Sequence, residues 1–283
     1  MTTVAMLGVP WDGSSTFLRG AAGAPPLIRQ ALWSPSSNAW NERGDDLSAD
    51  GVLIDAGDLV LAGDAADMRA AVEQGVRDIL GQGRRPLILG GDHSITYPIL
   101  RAWGVRRAPD EARPPGGPSD RLAVLHLDAH ADLYDTFEED RYTHASPFAR
   151  VMEERLAGRL IQVGIRTLNA HQRSQASRFG VEVLGADRWR EVLPLLGRLR
   201  GPVYVSLDLD VLEPALAPGI SHPEPGGLTV RDVLEILASI RVPVAGADIV
   251  EYNPSLDVRE LTARVAAKFV KELVGLLRRS VTG

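Results

Sequence analysis

The 283-residue chain has no cysteine. Disulfides and thiolate metal sites are thereby excluded, so any metal must be held by nitrogen and oxygen. Positive charge is scarce too: 31 lysines and arginines stand against 37 acidic residues, a net charge of −6 at pH 7. No basic cluster marks a nucleic-acid or anionic-membrane partner. No apolar run approaches bilayer-spanning length, and the start, Met1-Thr-Thr-Val-Ala-Met-Leu7, lacks the basic region, long apolar stretch and cleavage site of an export signal. A cytoplasmic, soluble protein is expected. No internal repeat is visible.

What the chain does have is alternation. Short apolar runs at Val4 to Leu7, Val52 to Ile54, Pro86 to Leu89, Leu122 to Leu127, Leu160 to Val163, Val181 to Leu184, Val203 to Leu207 and Val242 to Ile249 predict about eight strands. They are rich in Val, Ile and Leu on both faces, as parallel strands covered by helices should be. Between them, Met68 to Leu80, Pro147 to Leu156, Ala186 to Leu199, Val230 to Ile240 and Val258 to Leu277 carry apolar residues at helical spacing. Thr229, with Asp232 three residues on, predicts an N-cap for the helix at Val230. The pattern implies one parallel sheet with helices on both faces. Ser34 to Gly51 and Gly104 to Asp120 are polar loop segments, but the alternation resumes beyond each, so residues 1–283 are expected to form a single domain.

In open α/β sheets ligands bind at the carboxyl ends of strands. Those ends carry a non-random set of residues. Gly90-Gly91-Asp92-His93-Ser94 follows one strand, Asp128-Ala-His130-Ala-Asp132 a second, Asp208-Leu-Asp210 a third and Glu251-Tyr-Asn-Pro254 a fourth. Residues two apart on an extended chain point the same way, so Asp128, His130 and Asp132 converge, as do Asp208 and Asp210. Each motif alone reads as readily as a solvated turn or strand end. Together His93, Asp128, His130, Asp132, Asp208 and Asp210 make six ligands in three clusters on one inferred sheet. Four carboxylates can neutralise two divalent cations, and six ligands exceed the three usual for a single catalytic zinc. Oxygen-rich ligation with two imidazoles suits manganese.

With these motifs the chain resembles the ureohydrolases, the family of arginase and agmatinase. The match extends to Gly8-Val-Pro-Trp-Asp12, Arg19-Gly-Ala-Ala-Gly-Ala-Pro25 with Ile28-Arg29, and Ser206-Leu-Asp-Leu-Asp210. The resemblance implies a three-layer α/β/α sandwich and a binuclear manganese centre that cleaves a guanidino carbon–nitrogen bond and releases urea. On that pattern His93, Asp128, Asp132 and Asp208 hold one ion and Asp128, His130, Asp208 and Asp210 the other, with Asp128 and Asp208 bridging. A homo-oligomer, trimer or hexamer, is also implied.

The chemistry suits this inventory. Water is a poor nucleophile toward a guanidinium, and two cations lower the pKa of a shared water. The departing amine needs a proton, which requires an acid titrating near pH 7. His144, in Tyr142-Thr-His-Ala-Ser-Pro147, stands where the family places such a histidine. Glu251 would pair with the guanidinium. His126 is expected to support or pack rather than ligate, Asp92 to orient a ligand, and His171 to lie at the surface.

Two features bear on substrate. Where many relatives read Thr-Gly-Thr-Pro, this chain reads Ile220-Ser-His222-Pro223, which puts His222 toward the substrate. The loop after Asp132 lacks the Asn/Ser-rich sequence with which arginases hold the amino-acid end of arginine. In Leu133-Tyr-Asp-Thr-Phe-Glu-Glu-Asp-Arg-Tyr142 the acids Asp135, Glu138, Glu139 and Asp140 outnumber Arg141. A cationic tail is therefore expected, as in agmatine; if Arg141 instead grips a carboxylate, a guanidino acid is favoured. Arginine and formimidoylglutamate are the alternative substrates. A single-metal amide hydrolase or a non-catalytic binding subunit would be expected to carry fewer ligands.

Overall fold

A computed structural model describes residues 2–104 and 122–279. The expected loop Gly104 to Asp120 lies outside the described residues from position 105 onward. Eight strands, β1 (Val4–Gly8), β2 (Leu53–Asp58), β3 (Arg85–Leu89), β4 (Ala123–Leu127), β5 (Arg159–Ile165), β6 (Glu182–Gly185), β7 (Val203–Asp208) and β8 (Val244–Val250), form one sheet. Their order is β2-β1-β3-β8-β7-β4-β5-β6, and every adjacent pair is parallel. Each expected strand overlaps an observed one.

Side chains alternate between two cores, one on each face. Val4, Met6, Leu87 and Leu89 pack toward α1 (Ala24–Leu32), α6 (Val192–Leu196), α7 (Val230–Ser239) and α8 (Leu261–Arg278). Ala5, Leu7 and Ile88 pack toward α2 (Ala65–Gly81), α3 (Thr96–Gly104), α4 (Pro147–Glu153) and α5 (Ala170–Phe179). The result is the expected three-layer sandwich. Helices cover both faces because continuous apolar strands have no polar face to offer water.

Helix boundaries shift for identifiable reasons. α8 starts at Leu261 rather than Val258 because Arg259 and Glu260 sit in the left-handed region, with φ of 53° and 58°. The expected helix Ala186 to Leu199 is a 3₁₀ segment, Ala186–Glu191, followed by the short α6, since Arg188 leaves helical geometry at φ −117° and ψ 15°. Thr229 does cap α7, accepting from the Asp232 N–H while the Asp232 side chain accepts from the Thr229 N–H.

Although β3 and β4 are consecutive, β8 and β7 lie between them in the sheet. The chain thus reverses its direction of winding at the centre, which opens a crevice above the carboxyl ends of β3, β8, β7 and β4.

Candidate metal centre and active site

The Gly90-Gly91 turn brings the chain after β3 against the Trp11 carbonyl, which accepts from the Asp92 N–H at 2.8 Å; a Cβ on Gly91 would collide with that carbonyl. His93 follows, fully buried. Its Nδ1 lies 2.9 Å from Asp208 Oδ2, 3.1 Å from Asp132 Oδ2 and 3.3 Å from Asp128 Oδ2. On the other side of the cleft, His130 Nδ1 lies 3.4 Å from Asp128 Oδ1 and 3.5 Å from Asp210 Oδ2. All six residues singled out as ligands therefore meet, with Asp128 reaching both imidazoles.

Hydrogen bonds from the sheet fix the orientation of this set. Gln162, His126, Ser206 and Asp248 are register partners across β5, β4, β7 and β8, so their side chains form one buried row on the same face. Ser206 Oγ donates to Asp248 Oδ1 at 2.7 Å, and Tyr204 and Thr96 hydroxyls donate to Asp248 Oδ2. With its proton so committed, Ser206 accepts from His93 Nε2 at 2.9 Å. His93 consequently carries its proton on Nε2 and turns the Nδ1 lone pair to the carboxylates. Likewise the Gln162 amide donates to the Ala131 carbonyl at 2.6 Å and to His126 Nδ1 at 3.0 Å, leaving His126 Nε2–H to donate to Asp128 Oδ2 at 2.8 Å. His126 thus supports Asp128, as expected of it.

Burial and mutual charge set the protonation of the cluster. Burial and the neighbouring Asp128 push Asp208 well above the carboxylate range, and burial with Asp208 and Glu251 does the same to Asp210. Burial also opposes charge on Asp128, but the His126, His130 and His93 imidazoles beside it hold it well below. Burial opposes the His93 imidazolium, and Asp128, Asp132 and Asp208 overcome it to raise His93. Such a cluster without countercharge must take up protons. Among the described residues His93 Nδ1 and Asp210 Oδ1 are buried with no hydrogen-bond partner, as befits atoms reserved for a cation. The donor set fits divalent metal.

A second group stands above this floor. His144 Nδ1 lies 3.2 Å from Glu251 Oε1, and His144 Nε2 lies 2.8 Å from Thr16 Oγ1. Burial disfavours the His144 imidazolium, but the Glu251 hydrogen bond and charge outweigh it and raise its pKa to about 9. Glu251, held at φ 64°, also accepts from the His93 N–H at 2.8 Å, while its Oε2 has no partner among the described residues. Asp132, at φ 50°, is likewise left-handed. Backbone held in that region by non-glycine residues is commonly found at functional sites. Asp92 does not touch the His93 ring: it accepts from the Ser14 N–H at 2.9 Å and so anchors the segment that carries Thr16. Thr16, Asp132, His144 and Glu251 line a cavity of about 540 Å³.

Residues 2–275 match the arginase family. The chain belongs to that family. It is 44% identical to arginase 1, mitochondrial, of Arabidopsis thaliana, across 98% of this chain and 82% of that protein. It is 36% identical to a guanidinopropionase of Pseudomonas aeruginosa, across 98% and 87%. The arginase structure from Medicago truncatula superposes with a TM-score of 0.86 at 39% identity, covering 98% of this chain and 87% of that one. The chain is thus an arginase-family enzyme with a metal-binding cluster, and no helix among its described residues is long and apolar enough to cross a membrane.

Within this arginase-family cleft the outer wall differs from the sequence-based expectation. His222 lines the cavity, its ring centroid 4.8 Å from that of His144. Arg141 does not: its guanidinium is taken up by Asp135 at 3.0 Å and Glu153 at 2.8 Å. Asp135 is in turn bound by Arg150, and Glu138, Glu139 and Asp140 are exposed and do not line the cavity. The 133–142 loop presents Tyr134 and Phe137 to the pocket instead. Its acids are neutralised internally or face water, so they impose no negative field on a bound tail. His171 is exposed and stacks on Tyr134.

Two arginines on the wall had no sequence signal beyond position after a strand. Arg166 follows β5 and donates to the carbonyls of Asp210 at 2.7 Å, Val211 at 3.0 Å and Glu224 at 2.6 Å, bracing the Asp208 to Asp210 turn. Arg173, on α5, lines the cavity, and its side chain makes no hydrogen bond or ion pair with the described residues.

Proposed function

We propose that this chain is a manganese-dependent ureohydrolase whose substrate carries a carboxylate, arginine or a shorter guanidino acid, rather than agmatine. The observation that carries the substrate class is Arg173. Every acid lining the cavity belongs to the cluster or is Glu251, whereas the outer wall offers a guanidinium with no acid beside it. A carboxylate tail would satisfy that cation bidentately; an ammonium tail would meet it with like charge. The names of the Arabidopsis and Pseudomonas relatives, arginase and guanidinopropionase, accord with such a substrate.

In this reading His93, Asp128, Asp132 and Asp208 hold one manganese ion and Asp128, His130, Asp208 and Asp210 the other. When bound, the pair supplies water of lowered pKa at neutral pH and positive charge where negative charge develops. Glu251 receives the guanidinium on Oε2 and fixes its carbon over the cluster. His144, protonated near pH 7, gives its proton to the departing amine, with Thr16 setting the ring orientation. Tyr134 and Phe137 cover the alkyl part and exclude water.

The test compares kcat/KM for arginine, 3-guanidinopropionate, 4-guanidinobutyrate and agmatine in the manganese-loaded enzyme and in Arg173→Ala, scoring urea. A carboxylate substrate should exceed agmatine at least about tenfold, and Arg173→Ala should erase most of that margin, as loss of one charged hydrogen bond implies. Agmatine as the best substrate, with Arg173→Ala indifferent, would overturn the assignment. Formamide from a formimino compound at a higher rate would change the reaction class.

A further inference from the structure

His144, His222 and Glu251 offer two imidazole nitrogens and one carboxylate oxygen, all within 4.8 Å of one another. None of them belongs to the six-residue floor of the cleft. His144 and Glu251 are buried and His222 half-buried. Glu251 Oε2 is buried without a partner, which is costly for a carboxylate oxygen unless something is meant to sit there. When His144 Nε2–H donates to Thr16 Oγ1, 2.8 Å away, its Nδ1 lone pair faces Glu251. An imidazole ligand with its outer nitrogen hydrogen-bonded is the usual arrangement at a metal. The Phe17 ring centroid lies 5.7 Å from that of His222.

We propose that His144, His222 and Glu251 form a third cation site, separate from the manganese cluster, that takes zinc and blocks the enzyme when filled. Two imidazoles and a carboxylate are a familiar three-residue zinc set, with bonds of about 2.0–2.2 Å. Donors spread over 4.8 Å need only modest side-chain rotation to reach such a centre. Manganese prefers the oxygen-rich floor, so the two sites differ in metal preference. Zinc on Glu251 would occupy the oxygen offered to the guanidinium, so the ion and substrate exclude each other; this last consequence rests on the role given to Glu251 above. His222 is what completes the site. A threonine there would leave only two donors.

The experiment dialyses the manganese-loaded protein, in excess free manganese, against micromolar zinc, counts both metals per chain by mass spectrometry, and measures urea release in parallel. One zinc should bind with two manganese ions retained, and zinc should raise KM at least about tenfold with little change in kcat. His222→Thr and His222→Gln, each compared with its own zinc-free rate, should need at least about ten times more zinc for the same occupancy and inhibition. Zinc that displaces manganese, or binds both variants as tightly as the parent, overturns the site. If no guanidino compound is hydrolysed and a His222-dependent third ion still binds, the functional reading fails and the zinc site stands. Turnover with no third ion has the opposite meaning.

Discussion

Individual residues at this site act through their neighbours, and the sequence shows the first layer better than the second. All six cluster residues were legible because each follows an apolar strand, and Asp128, His130 and Asp132, like Asp208 and Asp210, recur at two-residue spacing. Ser206 and Asp248 were not, because a single polar residue inside a buried strand does not reveal what it faces; only register sets Ser206 beside Asp248 and beneath His93. Their importance can be measured. Asp248→Asn should weaken manganese binding about 10–100-fold, the usual loss when an outer partner of a ligand is removed, as read by calorimetric titration; unchanged affinity would mean that Ser206 holds His93 without Asp248. His144→Ala, by contrast, should keep both ions and lose about 10²–10⁴-fold in kcat, the range of general acid catalysis. A variant that has lost metal would show that His144 is a ligand. Arg141 shows the limit of residue-type reasoning: its charge was legible, but its partners Asp135 and Glu153 were not, and they decide where it points.

Among the elements of the described residues, all eight strands were visible in the sequence and three α-helices were not, for reasons of composition. α5, Ala170–Phe179, has almost no apolar stripe; it stands because Asn169 and Gln172 cap each other reciprocally and Gly180 closes it at φ 64°. α1 and α3 carry prolines near their starts, where the missing N–H costs nothing but where the residue reads as a breaker. The polar segment Ser34 to Gly51 also proves to be tied down: Glu42 reaches Arg231 on α7 and Lys268 on α8, and its N–H donates to Glu272. The Arg231 hydrogen bond, with Lys268 adding to it against the cost of burial, lowers the Glu42 pKa to about 2 from its ordinary 4.5. A depressed carboxylate stabilises the folded state above the unfolded pKa, and that contribution fades as pH falls from 4.5 toward 2. Glu42→Gln should therefore lower Tm at pH 7 by about 1–3 °C, a small effect because the pair is largely exposed, and urea midpoints of the two proteins should converge progressively as pH falls from 4.5 toward 2. A gap that widens in acid would reverse the sign of the argument.

At the scale of the whole molecule, the fold gathers charge where its own packing is least able to tolerate it. The four central strands are buried along their length, and their mouths bring Asp128, Asp132, Asp208 and Asp210 together with Glu251, all of them buried. A chain selected for stability alone would not hold so many carboxylates in one dry crevice. The sheet supports them because the polar row Gln162, His126, Ser206 and Asp248 supplies aligned donors and acceptors beneath, and bound cations would supply the missing charge. Stability should accordingly depend on metal. At free manganese near 100 times Kd each site contributes about 2.7 kcal/mol, which corresponds to roughly 5–10 °C in Tm for a chain of this size, so EDTA should lower Tm by that much or more in scanning calorimetry. Asp208→Asn separates the two roles of that residue. Its carboxyl is pushed up by burial and by Asp128, so an ionised Asp208 opposes folding when no cation is present, while asparagine keeps the Oδ1 that accepts from the Asp210 N–H at 2.7 Å. In EDTA the variant should melt at or above the temperature of the parent; in manganese the parent should be the more stable, and only the parent should release urea. A parent that is unaffected by EDTA, or a variant that is the weaker protein under both conditions, would mean that Asp208 serves the fold and not the metal.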